Sequence, residues 1–242
     1  MPIGEIEAHP YLEQGQIEGA EKLILGSFPV YECTDSDNKR KIEKRQKEGT
    51  VRFFYGSKDS QFWKLYHENI DDDIYLPIEP EQVLNSLKRN KIAITDTIMT
   101  CQRHDLSSLD SKLIKRDYNV DGIQNLIKDG VRRILCTSKG VLNDLEKQII
   151  LSKEKPMSAE VDVLGSCEYQ HEFISNLGGN NNQIVNHICR VFQIDDYEVI
   201  ALAIPSPGSP QRKLDSFGFN GDNWKEYADN YFTKAFDWLD KS

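Results

Sequence analysis

The sequence predicts an α/β fold: three α/β/α layers around a central, mainly parallel four-stranded sheet, with a β-rich insertion late in the chain. Short apolar runs that suit buried strands alternate with segments of helical periodicity, as in parallel sheets covered on both faces. The apolar runs end in loops rich in glycine, proline and small polar residues. A hydrophobic content of 38% in 242 residues is enough for one core, so the expectation is a single domain over 1–242.

The elements follow one another in a regular order. The predicted strands are 22–26, 91–96, 132–137 and 198–204, and the predicted helices are 61–69, 81–89, 119–129 and 224–239. In the last helix, Tyr227, Tyr231, Ala235 and Trp238 recur at near-helical spacing and are expected to pack in the core. Residues 152–195 break the rhythm, with Gly178-Gly179, an asparagine run and alternating segments, and are interpreted as an inserted hairpin.

Composition limits the classes of function. The net charge is −9 and the pI about 5.1, which argues against strong non-specific DNA binding, because that binding depends on phosphate neutralisation. A local excess of basic residues lies between Lys39 and Lys58, a segment with eight lysines and arginines and only two acidic residues, Glu43 and Glu48. An acidic protein with a basic arm is therefore expected.

The five cysteines are an odd number, widely spaced and without a C-x-x-C pair, so neither disulfides nor a zinc site is expected. No segment looks like a signal peptide or a membrane span. These features predict a cytoplasmic monomer with reduced thiols, no membrane contact, no metal and no other cofactor.

Functional groups of a parallel α/β sheet belong beyond the carboxyl ends of its strands. Four such loops contain unusual residues: Gly26-Ser27-Phe28-Pro29, Thr95-Asp96-Thr97, Thr137-Ser138-Lys139-Gly140, and Ile204-Pro205-Ser206-Pro207-Gly208-Ser209. Each alone is explained by ordinary turn formation. Their order and content together are more specific.

The chain resembles the uracil-DNA glycosylase superfamily, and within it the hypoxanthine (deoxyinosine) DNA glycosylase branch. The resemblance rests on Leu23 to Pro29, Phe53-Phe54-Tyr55-Gly56 with Gln61-Phe62-Trp63, Ile94-Thr95-Asp96 through Cys101, Arg103, Asp110 and Ser111, and finally Ile204 to Ser209. These motifs run in family order from about residue 9 to the last helix. The insertion at 152–195 lies outside the resemblance.

The resemblance implies hydrolysis of the N-glycosidic bond of a deaminated base that is flipped out of DNA. The loop after Gly26 would let the backbone approach the flipped nucleotide. Base contacts are then assigned to Ser27, Phe28, Phe54, Tyr55 and Asp96, with Phe28 or Phe54 as a stacking face. Ser206 and Ser209 would donate hydrogen bonds to phosphates of the damaged DNA, and Lys139 and Arg212 would add positive charge.

Asp96 is the most informative of these residues. Members of the superfamily that read uracil usually have an asparagine at the corresponding strand end. An ionised carboxylate only accepts hydrogen bonds and so selects bases that present N–H donors, such as hypoxanthine or xanthine. The alternative is that Asp96 merely caps the following turn.

The chain departs from the family at its usual catalytic positions. Phe28 stands where uracil enzymes carry an Asp or Asn, and Ile204 where several branches carry a histidine. Deoxyinosine enzymes use an asparagine just before the Phe-Trp pair, a place occupied here by Ser60 after Asp59. Asp59 either replaces that asparagine or is a solvated loop acid. The five histidines are scattered, and none is predicted to supply the missing group.

The leading hypothesis from the sequence is a DNA glycosylase in which Asp59, Ser60 and Asp96 serve the chemistry. A second hypothesis is a catalytically degenerate relative that binds nucleic acid, a nucleotide or a protein partner in the same pocket. An unrelated doubly wound α/β domain is disfavoured, because the chain lacks G-x-G-x-x-G, Walker and G-x-S-x-G motifs.

Overall fold

A computed structural model describes residues 5–34, 49–104, 109–158, 160–164, 188–208, 217 and 224–240, with the backbone alone at 164 and 224–228. The strands are β1 (Ile6–Ala8), β2 (Lys22–Gly26), β3 (Ile92–Asp96), β4 (Ile98–Arg103), β5 (Leu113–Tyr118), β6 (Arg133–Cys136), β7 (Val161–Leu164), β8 (Cys189–Ile194) and β9 (Tyr197–Ala203). The helices are α1 (Phe62–Asn69), α2 (Pro80–Arg89), α3 (Val120–Lys128), α4 (Lys139–Asp144) and α5 (Trp224–Asp240), and a π-helical turn, Leu145–Ile150, continues α4.

The central sheet has the strand order β3-β2-β6-β9-β8-β7. Its first four strands are mutually parallel and are the four predicted from their apolar runs. In β2 and β3 every residue is buried, as expected of strands covered on both faces. The predicted fold class, a mainly parallel sheet with flanking helices, is confirmed.

The predicted insertion joins the sheet instead of standing apart from it. Strand β8 pairs antiparallel with β9, and β7 pairs antiparallel with β8, so among the described residues the sheet has six strands where four were expected. Residues 165–187, which contain Gly178-Gly179 and the asparagine run, lie outside the described residues. The edge position of β7 explains why its short sequence carried little apolar signal.

Side-chain contacts join several helices to one another and to the sheet. Helix α1 contacts α5 through Phe62 and Phe236, whose ring centres are 6.0 Å apart, and α5 reaches β6 where Arg133 donates to the carbonyl oxygen of Trp238 at 3.0 Å. Gln124 of α3 donates to the carbonyl oxygen of Ile149 at 2.9 Å, which ties α3 to the π-helical turn.

The predicted core positions of α5 are buried at Tyr231, Ala235 and Trp238, and the side chain of Tyr227 lies outside the described residues. Four of the cysteines are buried thiols outside any disulfide: Cys33, Cys101, Cys136 and Cys189. Cys167 is not among the described residues.

A second, three-stranded antiparallel sheet has the order β1-β4-β5 and was not predicted. Strand β4 begins immediately after β3, with only Thr97 between them, so this small sheet starts at the carboxyl end of the large one. It pairs Ala8 with Thr100, and the backbone N–H of His9 then donates to the carbonyl oxygen of Met99 at 2.9 Å. This pairing carries the N-terminal segment to the strand ends where function was predicted.

Candidate active site at the strand ends

The carboxyl ends of the four parallel strands form one row. Gly26 pairs with Asp96, and Leu25 pairs with Cys136. Beyond Cys136, the backbone N–H of Thr137 donates to the carbonyl oxygen of Leu25 at 2.9 Å. The first three of the four loops singled out in the sequence therefore start side by side. The fourth follows because the N–H of Ile204 donates to the carbonyl oxygen of Cys136, also at 2.9 Å.

A histidine and a carboxylate meet in this row. His9 Nε2 lies 2.8 Å from Asp96 Oδ2. The His9 side chain is fully buried, whereas that of Asp96 keeps 5% of its surface exposed. On the other side of the ring, the backbone N–H of Tyr11 donates to His9 Nδ1 at 3.0 Å. Both ring nitrogens of His9 are therefore occupied, and the small accessible side-chain surface of the pair belongs to Asp96.

Aromatic rings enclose the pair. The ring centre of Phe28 lies 5.5 Å from that of His9 in an edge-to-face arrangement, and Phe54 lies 5.3 Å from it with a tilt of 41°. These contacts belong to the geometry preferred by aromatic pairs. Because water is largely excluded here, hydrogen bonds to the Asp96 carboxylate are stronger than at the surface.

Tyr55 approaches the same place from the loop before α1. Its hydroxyl donates to Thr137 Oγ1 at 3.2 Å, and Thr137 Oγ1 lies 3.2 Å from the carbonyl oxygen of Leu25. A Cβ atom added to Gly26 would clash with both Asp96 Oδ1 and Tyr55 Oη, so these two oxygens share the space left by the missing side chain. We call His9, Gly26, Tyr55, Asp96 and Thr137 the strand-end site.

Tyr55 stays protonated. Burial, and then the neighbouring charge of Asp96, raise the pKa of the Tyr55 hydroxyl well above its ordinary range. Its backbone has a φ of 51°, a left-handed conformation that costs a non-glycine residue of the order of 1 kcal/mol. Stacking of the ring on Phe62, with centres 4.3 Å apart, and the Thr137 hydrogen bond hold it there.

Arg103 fixes the loop that contains Phe28. This buried residue of β4 contacts Glu7 of β1 through Nε, at 3.1 Å from each carboxylate oxygen, and donates to the carbonyl oxygen of Pro29 at 2.6 Å. Its guanidinium lies 5.4 Å from the ring centre of Phe28. Nearby, Ser27 Oγ donates to Asp110 Oδ1 at 2.8 Å, so Ser27, assigned above to base contacts, has a protein partner.

Asp59 and Ser60 lie at the start of α1. The hydroxyl of Ser60 accepts from the backbone N–H of Phe62 at 3.3 Å, and Asp59 is exposed. The N–H of Gln61 donates to the carbonyl oxygen of Pro207 at 3.0 Å, which places this loop beside the proline-rich loop after β9. The catalytic assignment of Asp59 and Ser60 stays a prediction.

The predicted phosphate contacts are described in part. Ser206 is half-buried, after the fully buried Ile204. Lys139 is half-buried at the start of α4, with its Nζ 4.7 Å from the ring centre of Phe217. Ser209 and Arg212 lie outside the described residues.

His9 is the residue that the sequence did not reveal. Its partner Asp96 is 87 positions away, and neither C-x-x-C-like spacing nor a family motif marks it. The only local hint is that His9 lies at the N-terminal limit of the resemblance, next to Tyr11. Its position follows from the pairing of β1 with β4, which was not predicted.

Comparisons with known proteins give a limited result. No family model matches the chain, and no curated protein matches it. Among solved structures, the chain is similar to a solution NMR structure of a candidate uracil DNA glycosylase from Methanosarcina acetivorans, with 18% identity, 96% of each chain covered and a TM-score of 0.43. A TM-score at this level assigns neither a family nor an activity. Within the described residues, no helix has the length and apolar character to cross a bilayer.

Proposed function

We propose that the protein is a DNA glycosylase that hydrolyses the N-glycosidic bond of a flipped deaminated base, namely hypoxanthine, xanthine or uracil. The observation that carries the proposal is the strand-end site: a carboxylate with a buried histidine partner, enclosed by Phe28 and Phe54, at the edge where the sequence motifs of the superfamily converge. Among the described residues, Asp96 is the carboxylate held in this position.

The reaction benefits from a carboxylate of this kind. Cleavage of the bond develops positive charge on the sugar and negative charge on the departing base, so a fixed anion and a positioned water lower the barrier. Asp96 would bind the base or stabilise the sugar cation, with His9 holding it in place. Asp59 and Ser60 would act from the loop next to Pro207, orienting water.

The test is an excision assay on oligonucleotides that carry hypoxanthine, xanthine or uracil, read as alkali-sensitive abasic product. Wild type is expected to cleave at least one of them, and Asp96→Ala to reduce the rate by about 100-fold or more, as for other buried electrostatic groups. Equal excision by wild type and by Asp59→Ala with Ser60→Ala would remove these two from the chemistry. No product from any substrate would refute the proposal.

A second candidate is a catalytically inactive protein that binds damaged DNA in the same site. The observation in its favour is that Ile204 is apolar and fully buried and that Ser60 has a hydroxyl engaged with the backbone N–H of Phe62, so neither position offers the histidine or asparagine that the resemblance implies. Salt-dependent binding of the same oligonucleotides without any excision would support this candidate.

A further inference from the structure

The hydrogen-bond network around His9 fixes where its ring proton lies. The backbone N–H of Tyr11 is only a donor, so His9 Nδ1, at 3.0 Å from it, must be the unprotonated acceptor. The proton of the neutral ring is then on Nε2, and Nε2–H donates to Asp96 Oδ2 at 2.8 Å. A doubly protonated ring would bring two donors face to face at Nδ1. Asp96 is therefore held as an acceptor through Oδ2.

A second chain of hydrogen bonds fixes the proton of Tyr55. The carbonyl oxygen of Leu25 is only an acceptor, so the Thr137 hydroxyl donates to it at 3.2 Å. The Thr137 oxygen then accepts from the Tyr55 hydroxyl, also at 3.2 Å. The single proton of Tyr55 is committed to Thr137, and its oxygen has only lone pairs left.

These two chains end at the same point. Asp96 Oδ1 and Tyr55 Oη are the two oxygens that share the space next to Gly26, and both are left as hydrogen-bond acceptors. Of the two side chains, Asp96 alone keeps accessible surface, 5% of its area. A ligand that reaches this place meets acceptors and finds no donor on either oxygen.

We propose that His9 determines the base specificity of the strand-end site, by holding Asp96 as an acceptor that takes a ring edge with an N–H donor. This inference rests on the proposed function and adds the substrate class to it. Hypoxanthine, xanthine and uracil each carry a ring N–H on the pairing edge, whereas adenine and cytosine present a lone pair there. The site would separate hypoxanthine from adenine and uracil from cytosine. It would not by itself separate xanthine from guanine, which carries the same N–H.

The role of His9 makes a specific prediction for Asp96→Asn. If His9 Nε2–H remains a donor, the amide must turn its oxygen to His9 and its NH₂ group to the ligand. The site then changes from acceptor to donor and favours a ring lone pair. In a chain that also carries His9→Leu, nothing orients the amide, and this reversal is lost.

The experiment measures binding, without excision, to three oligonucleotides that differ only in a central hypoxanthine, N1-methylhypoxanthine or adenine, each on a 2′-fluoroarabino sugar that resists cleavage. Fluorescence anisotropy of wild type should show about tenfold tighter binding of hypoxanthine than of the other two, equivalent to about 1.4 kcal/mol. Asp96→Asn should prefer adenine. His9→Gln, which keeps an N–H donor, should retain the wild-type order, and His67→Gln is the histidine control on α1.

Equal affinity of wild type for hypoxanthine and N1-methylhypoxanthine would overturn the inference, as would absence of binding to all three probes. The inference would also be overturned if Asp96→Asn and the double variant Asp96→Asn with His9→Leu showed the same preference among the three probes. Excision without these binding preferences would support the proposed function and refute the role of His9. The binding preferences without excision would support the specificity of the site and refute the glycosylase activity.

A second measurement needs no DNA. Long-range ¹⁵N–¹H spectra of the histidine rings, assigned with His9→Gln, should show His9 protonated at Nε2 and not at Nδ1 at neutral pH. A proton on Nδ1 would remove the basis of the inference even if the protein folds and excises bases.

Discussion

At the residue scale, the missing side chain of Gly26 is what lets Asp96 and Tyr55 reach the same strand end. Neither neighbour moves easily, because His9 holds the Asp96 carboxylate and Thr137 holds the Tyr55 hydroxyl. The close approach of two oxygens to a backbone Cα is a clear physical reason for glycine here.

Gly26→Ala is therefore expected to damage the site more than the fold. The added Cβ would clash with Asp96 Oδ1 and Tyr55 Oη, at a cost of about 1–3 kcal/mol in the free energy of unfolding. Displacement of Asp96 should reduce excision, or hypoxanthine binding, by about 100-fold. Chemical denaturation and the excision assay measure the two effects.

Gly140→Ala is the matched control. Gly140 lies in α4, and a Cβ there would meet Ser138 Oγ at 3.5 Å, an ordinary contact. The control should leave activity unchanged and raise stability by roughly 0.4–1 kcal/mol, because alanine restricts the unfolded chain. Full activity of Gly26→Ala would mean that the oxygens beside Gly26 take no part in the function.

Single residues also show what the sequence alone could predict. Asp96 was recognisable because it ends a well-defined apolar strand and stands at a position that the resemblance marks as base-reading. His9 was not, since its partner depends on the register of a three-residue strand whose side chains alternate between exposed and half-buried. Hydrogen-bond partners far apart in sequence leave no local pattern, so the site was predicted only in part.

At the element scale, the small β1-β4-β5 sheet supports the strand-end site. It brings His9 to Asp96 through the pairing of β1 with β4, and it holds the Phe28 loop through Arg103. Arg103 and Glu7 join β4 to β1 as an ion pair whose side chains are only 3% and 11% exposed. The two halves of the site therefore depend on one buried guanidinium.

Arg103→Met should destabilise the protein by about 3–5 kcal/mol, because it leaves the Glu7 carboxylate buried without its partner. Chemical denaturation measures the loss. Glu7→Met with Arg103→Met should recover part of it, since no uncompensated charge remains. Lys64→Met, which removes an exposed pair with Glu68 on α1, is the control and should cost about 0.5 kcal/mol or less. If Arg103→Met lowered the free energy of unfolding by only about 0.5 kcal/mol, Arg103 would not be holding β4 and β1 together.

The elements differ in how far the sequence predicted them. The four parallel strands are continuous apolar runs bounded by turn residues, and each was placed within a residue or two of its observed ends. Strands β4 and β5 pack a few side chains against Phe28 and otherwise alternate, so their apolar signal is weak. Strand β7 is a sheet edge, where Asp162 and Val163 are exposed. Burial on both faces is what made a strand predictable here.

At the scale of the whole molecule, charge opposes the proposed partner. A net charge of −9 repels DNA at long range, so binding must depend on a few local cations and on the site itself. Lys139 is the positively charged member of the predicted phosphate contacts that the structure describes. It follows β6 at the carboxyl edge of the sheet, the edge where the strand-end site lies.

Lys139→Ala should weaken binding of damaged and undamaged oligonucleotides by a similar factor, because phosphate contacts carry no information on the base. The slope of log K against log salt concentration should become shallower by about one unit, the effect of one lost phosphate contact. Lys128→Ala is the matched control: this exposed lysine ends α3 just before β6 begins, so it lies at the opposite edge of the sheet. Equal slopes for wild type and both variants would place the DNA elsewhere, whereas a loss confined to damaged DNA would make Lys139 part of base recognition.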